Sequence, residues 1–109
     1  MLIIESQEYF DTVKAKAVEL GLEKKLQEKL DYLGGYACHE TPEDTRCRLF
    51  QDRAPLSFEF VMEKRQPDGT YKRWFNGGMI FYGAGDQGFG APQFSVRIGN
   101  LDAGWSIHT

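Results

Sequence analysis

The sequence predicts an α+β domain in which two N-terminal helices pack on one face of a four- to five-stranded antiparallel sheet. Apolar residues recur at helical spacing up to residue 35, and they alternate with polar residues from residue 46 onward. Because the helices precede the strands and do not alternate with them, the pattern favours α+β over a doubly wound fold. With 41% hydrophobic residues among 109, the chain has apolar mass for one core. We therefore expect a single domain over 1–109, with a helical hairpin at 1–35 and the sheet at 46–109.

The first helix is predicted to begin after Ser6. A serine at this position accepts a hydrogen bond from an unpaired backbone amide, and Glu8 places a negative charge in the first turn, which suits the helix dipole. Four apolar residues follow at helical spacing: Phe10, Val13, Ala17 and Leu20. The next residue, Gly21, is the predicted end of this amphipathic helix.

The second helix is predicted to start directly after Gly21 and to end at Gly34-Gly35. Its apolar face consists of four leucines: Leu22, Leu26, Leu30 and Leu33. Charged residues occupy the opposite face, and the leucine pattern spans less than two heptads, so packing on the sheet is favoured over a coiled coil. Residues 36–45 contain a proline and three acidic residues, which predicts a loop.

A β-hairpin is predicted around the turn Pro67-Asp68-Gly69, where proline presets the turn and glycine supplies a positive φ. A strand at 46–51 comes first, and strands at 56–63 and 70–75 flank the turn. A three-residue loop fixes which residues face each other. The predicted pairs are Arg65 with Tyr71, Lys64 with Lys72, Glu63 with Arg73, and Met62 with Trp74.

The most apolar segment of the predicted sheet is 79–82, which is apolar on both faces. Gly77-Gly78 before it predicts a bulge or bend, and further strands are expected at 94–98 and 105–107. One face of segment 79–82 is expected to meet the helices. The other face needs a cover, either from the following loop or from a second subunit.

The glycine-rich stretch Gly83 to Gly88 matches the dinucleotide-binding pattern G-x-G-x-x-G. That motif requires a following helix, whose N-terminus holds the pyrophosphate. Here Pro92 leads instead into the alternating strand 94–98. We therefore interpret the stretch as a connection between two strands, in which Phe89 packs against the sheet.

Two cysteines and two histidines are the candidate metal ligands: Cys38, His39, Cys47 and His108. Their spacing lacks the pairs of ligands two to four residues apart that are typical of zinc sites, and nothing places either histidine as a base for a cysteine. We predict no cofactor and no metal, and a Cys/His enzyme is the least favoured alternative. Formation of a disulfide between Cys38 and Cys47 under oxidising conditions is left as an alternative.

The tip of the predicted hairpin carries a basic cluster that suggests nucleic-acid contact: Lys64, Arg65, Tyr71 and Lys72. A two-stranded ribbon fits a major groove, and aromatic rings stack on unpaired bases. The net charge of −3 opposes this reading, because nucleic-acid-binding domains are usually basic. Nucleic-acid binding through 64–73 is therefore the second hypothesis.

The first residues carry no basic segment ahead of a short apolar run, and no stretch approaches the roughly 18 apolar residues of a membrane span. We expect a cytoplasmic protein that does not contact membranes.

Three segments resemble a small uncharacterised protein family of gut Bacteroidota, a domain of unknown function. They are GGMIFYG at 77–83, GWSIHT at 104–109, and APLSFEF at 54–60. The resemblance spans nearly the whole chain. It implies a cytosolic, single-domain α+β protein without an assigned activity, and it transfers no catalytic residues.

The leading functional hypothesis is a non-catalytic binding or protein-interaction module. The two-faced segment 79–82 suggests self-association or binding of another protein. The predicted interaction surface comprises Met79, Phe81 and Phe89.

Overall fold

The computed structural model describes residues 2–37, 43–83, 85, 90–101, 103–104 and 106–108. Its elements are β1 (Leu2–Ile4), α1 (Gln7–Glu19), α2 (Glu23–Ala37), β2 (Thr45–Gln51), β3 (Phe58–Arg65), β4 (Tyr71–Tyr82), β5 (Gln93–Asn100) and β6 (Ser106–His108). The described strands form one sheet in chain order, β1-β2-β3-β4-β5-β6. Only the β1–β2 pair is parallel, and the others are antiparallel. The predicted α+β class is confirmed, with six strands instead of four or five.

The helical hairpin begins as predicted. The Ser6 hydroxyl accepts a hydrogen bond from the amide of Tyr9 at 3.4 Å, and Gly21 adopts a φ of +74° at the turn between the helices. The predicted end of the second helix is wrong, because α2 continues through Gly34-Gly35 to Ala37. Glycine in a helix costs only about 1 kcal/mol relative to alanine, and the buried Leu30 and Leu33 hold this part of α2 against the core.

The N-terminal strand β1 was not predicted. It pairs with β2 in parallel, so Leu2 lies beside Cys47 and Ile4 beside Leu49. Parallel neighbours require a long crossover connection, and the helical hairpin provides it. This connection places both helices on one face of the sheet.

The β3–β4 hairpin follows the predicted register at its tip, where Arg65 faces Tyr71 and Glu63 faces Arg73. The predicted pairing of Met62 with Trp74 is wrong, because the register shifts between Met62 and Glu63. Met62 therefore faces Phe75, and Trp74 is the extra residue of a bulge. The bulge turns Phe75 into the core, where it is 5% exposed.

The bulge predicted at Gly77-Gly78 does not occur there. Gly77 and Gly78 are regularly paired with Phe60 and Glu59, and the register shift lies nearer the hairpin tip, at Trp74. A Cβ on Gly77 would lie 1.8 Å from the carbonyl oxygen of Arg97 and 2.9 Å from Cζ of Phe60. Gly77 is therefore needed for close packing beneath the Phe60 ring.

The core lies between the helices and one face of the sheet. Its buried side chains come from both helices and from β2 to β5: Val13, Ala17, Leu22, Leu26, Leu30, Leu33, Cys47, Leu49, Phe58, Phe60, Met62, Phe75, Met79, Phe94, Val96 and Ile98. Along each strand these residues alternate with residues of the opposite face, which carries neither of the two described helices. We call this opposite face the helix-free face.

The connection between β2 and β3 is fastened by Ser57, which is fully buried. The carbonyl oxygen of Ser57 accepts hydrogen bonds from the Tyr9 hydroxyl at 2.8 Å and from the Asp52 amide at 3.1 Å. Its hydroxyl oxygen accepts one from the Phe81 amide at 3.0 Å. The preceding Leu56 has a φ of +60°, a conformation that non-glycine residues rarely adopt. Ser57 thus joins α1, the β2–β3 connection and β4 through its hydrogen bonds.

Candidate functional site

The β2 side of the helix-free face is electrostatically paired. Glu63, whose side chain is 9% exposed, lies 3.0 Å from Nε of Arg46 and 3.5 Å from Nη1 of Arg48. Nε of Arg48 also donates a 2.6 Å hydrogen bond to Glu5, and this hydrogen bond is the main reason that the pKa of Arg48 is raised. The Arg46 guanidinium covers the Tyr71 ring at 3.6 Å. The charges of Glu5, Arg46, Arg48 and Glu63 are therefore paired within the chain.

The other half of the helix-free face contains a groove centred on Gly78. The register aligns Phe50, Glu59, Gly78, Arg97 and His108 in one row across β2 to β6. Neighbouring strands lie about 4.8 Å apart, so the Cα atoms of Glu59 and Arg97 are separated by about 10 Å. Gly78 has no side chain of its own, and the side chain of Ile80 lies over it, with Cδ1 3.1 Å from the position that a Cβ on Gly78 would take.

This groove has a volume of ≈ 490 Å³. Its lining comes from β3 to β6 and from the end of β2: Asp52, Glu59, Asn76, Gly77, Gly78, Ile80, Tyr82, Ser95, Arg97, Gly99, Ser106 and His108. Ile80 and Tyr82 are half-buried and lie on the same face of β4 as Gly78. The groove therefore combines an apolar strip along β4 with charged residues on both sides.

The side chains of Glu59, Arg97 and His108 in the groove are not paired in the way that Glu63 is. Within the described ranges, the side chains of Glu59, Arg97 and His108 form no hydrogen bond or ion pair with the chain, and all three are exposed. The carboxylate of Glu59 and the guanidinium of Arg97 thus lie on opposite sides of Gly78, and both are available to bind a partner. This arrangement suits a partner that offers the complementary charges.

Of the residues predicted to form an interaction surface, Met79 and Phe81 do not line the groove. Met79 has no exposed surface, and its side chain is in the core on the helix side. Phe81 also faces that side, where its ring lies 5.4 Å from Phe94, and Phe89 falls outside the described residues. The alternation of a strand explains the correction: the side chains of segment 79–82 that face away from the helices are Ile80 and Tyr82.

The basic residues at the hairpin tip are largely engaged with neighbouring side chains. Arg65 forms an ion pair with Asp44 at 2.8 Å, and the Lys64 ammonium lies 5.2 Å from the centre of the Trp74 ring. One side of the exposed Tyr71 ring is covered by Arg46. Lys72 is exposed and faces Lys64. This geometry provides no specific support for nucleic-acid stacking.

The described cysteine and histidine lie far apart. Cys47 is fully buried on the helix side of β2, whereas His108 is on the opposite face of β6, four strands away, at a separation of about 19 Å. They cannot bind one metal ion or act as a nucleophile and its base. Cys38 and His39 fall outside the described residues, and among those described no three His, Cys, Asp or Glu side chains are grouped to hold a metal ion.

The strands that flank the glycine-rich stretch form an antiparallel pair, in which Tyr82 faces Gln93. Dinucleotide binding by a G-x-G-x-x-G motif needs a helix and a parallel strand after the glycines. The stretch is therefore a connection between antiparallel strands, as predicted. Residues 84 and 86–89 of the connection, including Phe89, lie outside the described part.

Together these elements define a small α+β domain with a helical hairpin on one face of a sheet and a polar groove on the other. The chain belongs to the family described as Domain of unknown function (DUF4120), which matches residues 2–109. No curated protein and no solved structure matches it. In the described part of the chain, neither helix is long and apolar enough to cross a membrane.

Sequence reasoning missed the residues that form the groove. Glu59 and Arg97 occupy the polar positions of clearly alternating strands, where a solvent-facing role is the ordinary interpretation. The available signal was Gly78, because an interior glycine in a strand is one sign of a site where another group approaches the backbone closely.

Proposed function

We propose that this protein is a non-catalytic binding module and that the groove half of its helix-free face is a protein-interaction surface. The observation that carries the proposal is the unpaired charge of Glu59 and Arg97 on either side of Gly78. The half-buried Ile80 and Tyr82 add an apolar strip beside the charged residues. An apolar centre with a polar rim is the usual composition of a protein–protein interface.

Binding is favoured over catalysis by the way the groove residues are held. A general base or nucleophile is normally oriented by a hydrogen bond to a second catalytic group. Within the part of the chain that is described, no such bond holds Glu59 or His108. The groove is also open to solvent along the sheet, whereas acid–base chemistry gains from exclusion of water.

Two finer expectations accompany this proposal. The cytoplasm remains the expected compartment, and gut Bacteroidota remain the source that the family resemblance implies. Nucleic-acid binding through Lys64, Arg65, Tyr71 and Lys72 stays an alternative that no specific contact favours.

Site-specific photo-crosslinking in cells that produce the protein tests the proposal. A photo-reactive amino acid at Ser106 probes the groove, and the same amino acid at Lys24 probes the exposed face of α2. We expect crosslinked products from position 106 and few from position 24. Glu59→Arg should reduce the yield from position 106, because it removes the acid of the groove. Equal yields from both positions, or none from either, would contradict the proposal.

A further inference from the structure

We propose that the partner of this surface is a second copy of the same chain, packed face to face about a two-fold axis that runs along β4 above Gly78. This inference rests on the proposed interaction function and names its partner. It starts from the order of charges in one row of the sheet, where Glu59 of β3 and Arg97 of β5 are equidistant from Gly78 of β4.

The symmetry of the row makes it self-complementary. Rotation by 180° about an axis along β4 places β3 of one copy opposite β5 of the other. Glu59 then faces the partner's Arg97, and Arg97 faces the partner's Glu59. A two-fold interface requires this reciprocity, because each contact between different residues occurs twice. The charges of Glu59 and Arg97, which form no ion pair within the described residues of the monomer, are both neutralised in the dimer.

The same operation also pairs the surrounding residues. Ile80 and Tyr82 lie on β4, close to the axis, and meet their own copies, which buries the apolar strip. Phe50 at one end of the row faces the partner's His108 at the other end. The side chain of Ile80 lies over the central Gly78, with Cδ1 3.1 Å from the position that a Cβ on Gly78 would take, so Ile80 supplies the contact nearest the centre of the row.

Within this row, charge also selects the direction of the axis. A two-fold axis across the strands, over the same row, would oppose Glu59 to the partner's Glu59 and Arg97 to the partner's Arg97. Like charges facing each other disfavour that arrangement. An axis along β4 is also compatible with the small angle between strand directions that packed sheets usually adopt.

The interface is limited to the groove half of one sheet face, which is smaller than a standard stable interface. We therefore expect a reversible dimer with a dissociation constant of roughly 1–100 μM at low salt. Raising the salt concentration should weaken it, because salt screens the attraction between the exposed charges of Glu59 and Arg97 as two copies associate.

Sedimentation velocity of the purified chain between about 1 and 500 μM tests the inference through a charge-swap series. Glu59→Arg alone and Arg97→Glu alone should each weaken dimerisation by about tenfold or more, since each variant creates two like-charge contacts. The double variant Glu59→Arg/Arg97→Glu restores both ion pairs in reversed order and should recover dimerisation to within a few-fold of the wild type. The matched control, Lys24→Glu with Glu28→Arg on the exposed face of α2, should not alter it.

Circular dichroism establishes that each variant is folded. If a reversed-charge variant does not fold, Glu59→Gln and Arg97→Gln replace it, and each should weaken the dimer. A strictly monomeric wild type at 500 μM, or a double variant no better than the single ones, would overturn the second-copy inference. A monomeric wild type that crosslinks from Ser106 to a species of another mass would overturn only this inference. Absence of crosslinks as well would overturn the proposed function too.

Discussion

The hydroxyl oxygen of Ser57 accepts a 3.0 Å hydrogen bond from the backbone amide of Phe81 and so ties the β2–β3 connection to the last part of β4. Ser57→Ala removes the acceptor and leaves a partly buried backbone amide without its partner. We expect the free energy of unfolding to fall by about 1–3 kcal/mol, measured by urea denaturation. Ser106→Ala, on the exposed edge strand β6, is the control and should change stability by less than about 0.5 kcal/mol. Similar losses in both variants would contradict the structural role of Ser57.

Tyr9 provides a pH-dependent test of the same connection. Its pKa is raised above the ordinary value of 10.0, first by burial and then by the negative charge of Asp52. The folded state therefore holds the phenolic proton more tightly than the unfolded state. The resulting stabilisation is fully present below about pH 10 and is lost as the pH rises through the folded pKa.

Tyr9→Phe removes both this titration and the hydrogen bond to the Ser57 carbonyl oxygen. We expect a loss of about 1 kcal/mol at pH 7 and a shallower decline in stability above pH 10, measured by thermal unfolding over a pH series. Tyr71→Phe is the control, because a phenylalanine ring at position 71 can still pack beneath Arg46. An unchanged alkaline profile in Tyr9→Phe would count against this explanation.

The two central glycines of β4 should differ in their tolerance of a side chain. A Cβ on Gly77 would clash with the Arg97 carbonyl oxygen at 1.8 Å, so Gly77→Ala requires backbone movement and should cost about 3 kcal/mol or more. A Cβ on Gly78 would lie 3.1 Å from both Cδ1 of Ile80 and the carbonyl oxygen of Phe58. Gly78→Ala should therefore cost only about 1 kcal/mol. Equilibrium unfolding of the two variants gives the comparison, and the reverse order would be inconsistent with this packing.

Glu63 and Glu59 are both on β3 and on the helix-free face, so the same substitution can be compared at the two positions. Glu63→Gln leaves Arg46 and Arg48 short of their carboxylate, and because the arginines are partly exposed we expect a loss of about 1–2 kcal/mol. Glu59→Gln should change monomer stability by less than about 0.5 kcal/mol, since no ion pair is lost. Denaturation at low protein concentration separates these effects from dimerisation. A large loss for Glu59→Gln would mean that this carboxylate serves the fold.

The glycines inside α2 offer a stabilising substitution. Apart from the chain neighbours and the backbone of α2 itself, no atom of the described residues lies within 4 Å of a Cβ placed on Gly34 or Gly35, and neither residue has a positive φ. Gly34→Ala should therefore raise the free energy of unfolding by about 0.5–1 kcal/mol, because it restricts the unfolded chain. Thermal unfolding measures the gain. Gly21→Ala is the contrasting control and should destabilise, because its φ of +74° is unfavourable for alanine.

Much of the fold was predictable, because periodicity and turn chemistry act over short segments. The Ser6 cap, the leucine face of α2 and the tip of the β3–β4 hairpin are local features of this kind. The end of α2 was not predictable from Gly34-Gly35, since tertiary packing decides whether a helix continues through glycine. The three-residue strand β1 is too short for its alternation to be recognised.

The candidate site could not be predicted, because it depends on the alignment of strands that are distant in sequence. The turn at Pro67 fixed the pairing of β3 with β4 near the tip, but the bulge at Trp74 shifts every pair beyond it. The composition of the long connection between β4 and β5 does not determine which residues of these two strands face each other. Only the completed sheet shows that Glu59 and Arg97 stand on either side of Gly78.

The order of the elements, with both helices before β2 to β6, has a consequence during protein synthesis. Residues 2–37 are translated before the strands that cover their apolar faces, and the sheet ends at residue 108. At usual elongation rates the ribosome needs roughly 4–14 s to add the remaining residues. The leucines of α2 therefore emerge into the cell as an amphipathic surface without its sheet. This interval is the stage of the chain's life at which chaperone binding would protect it most.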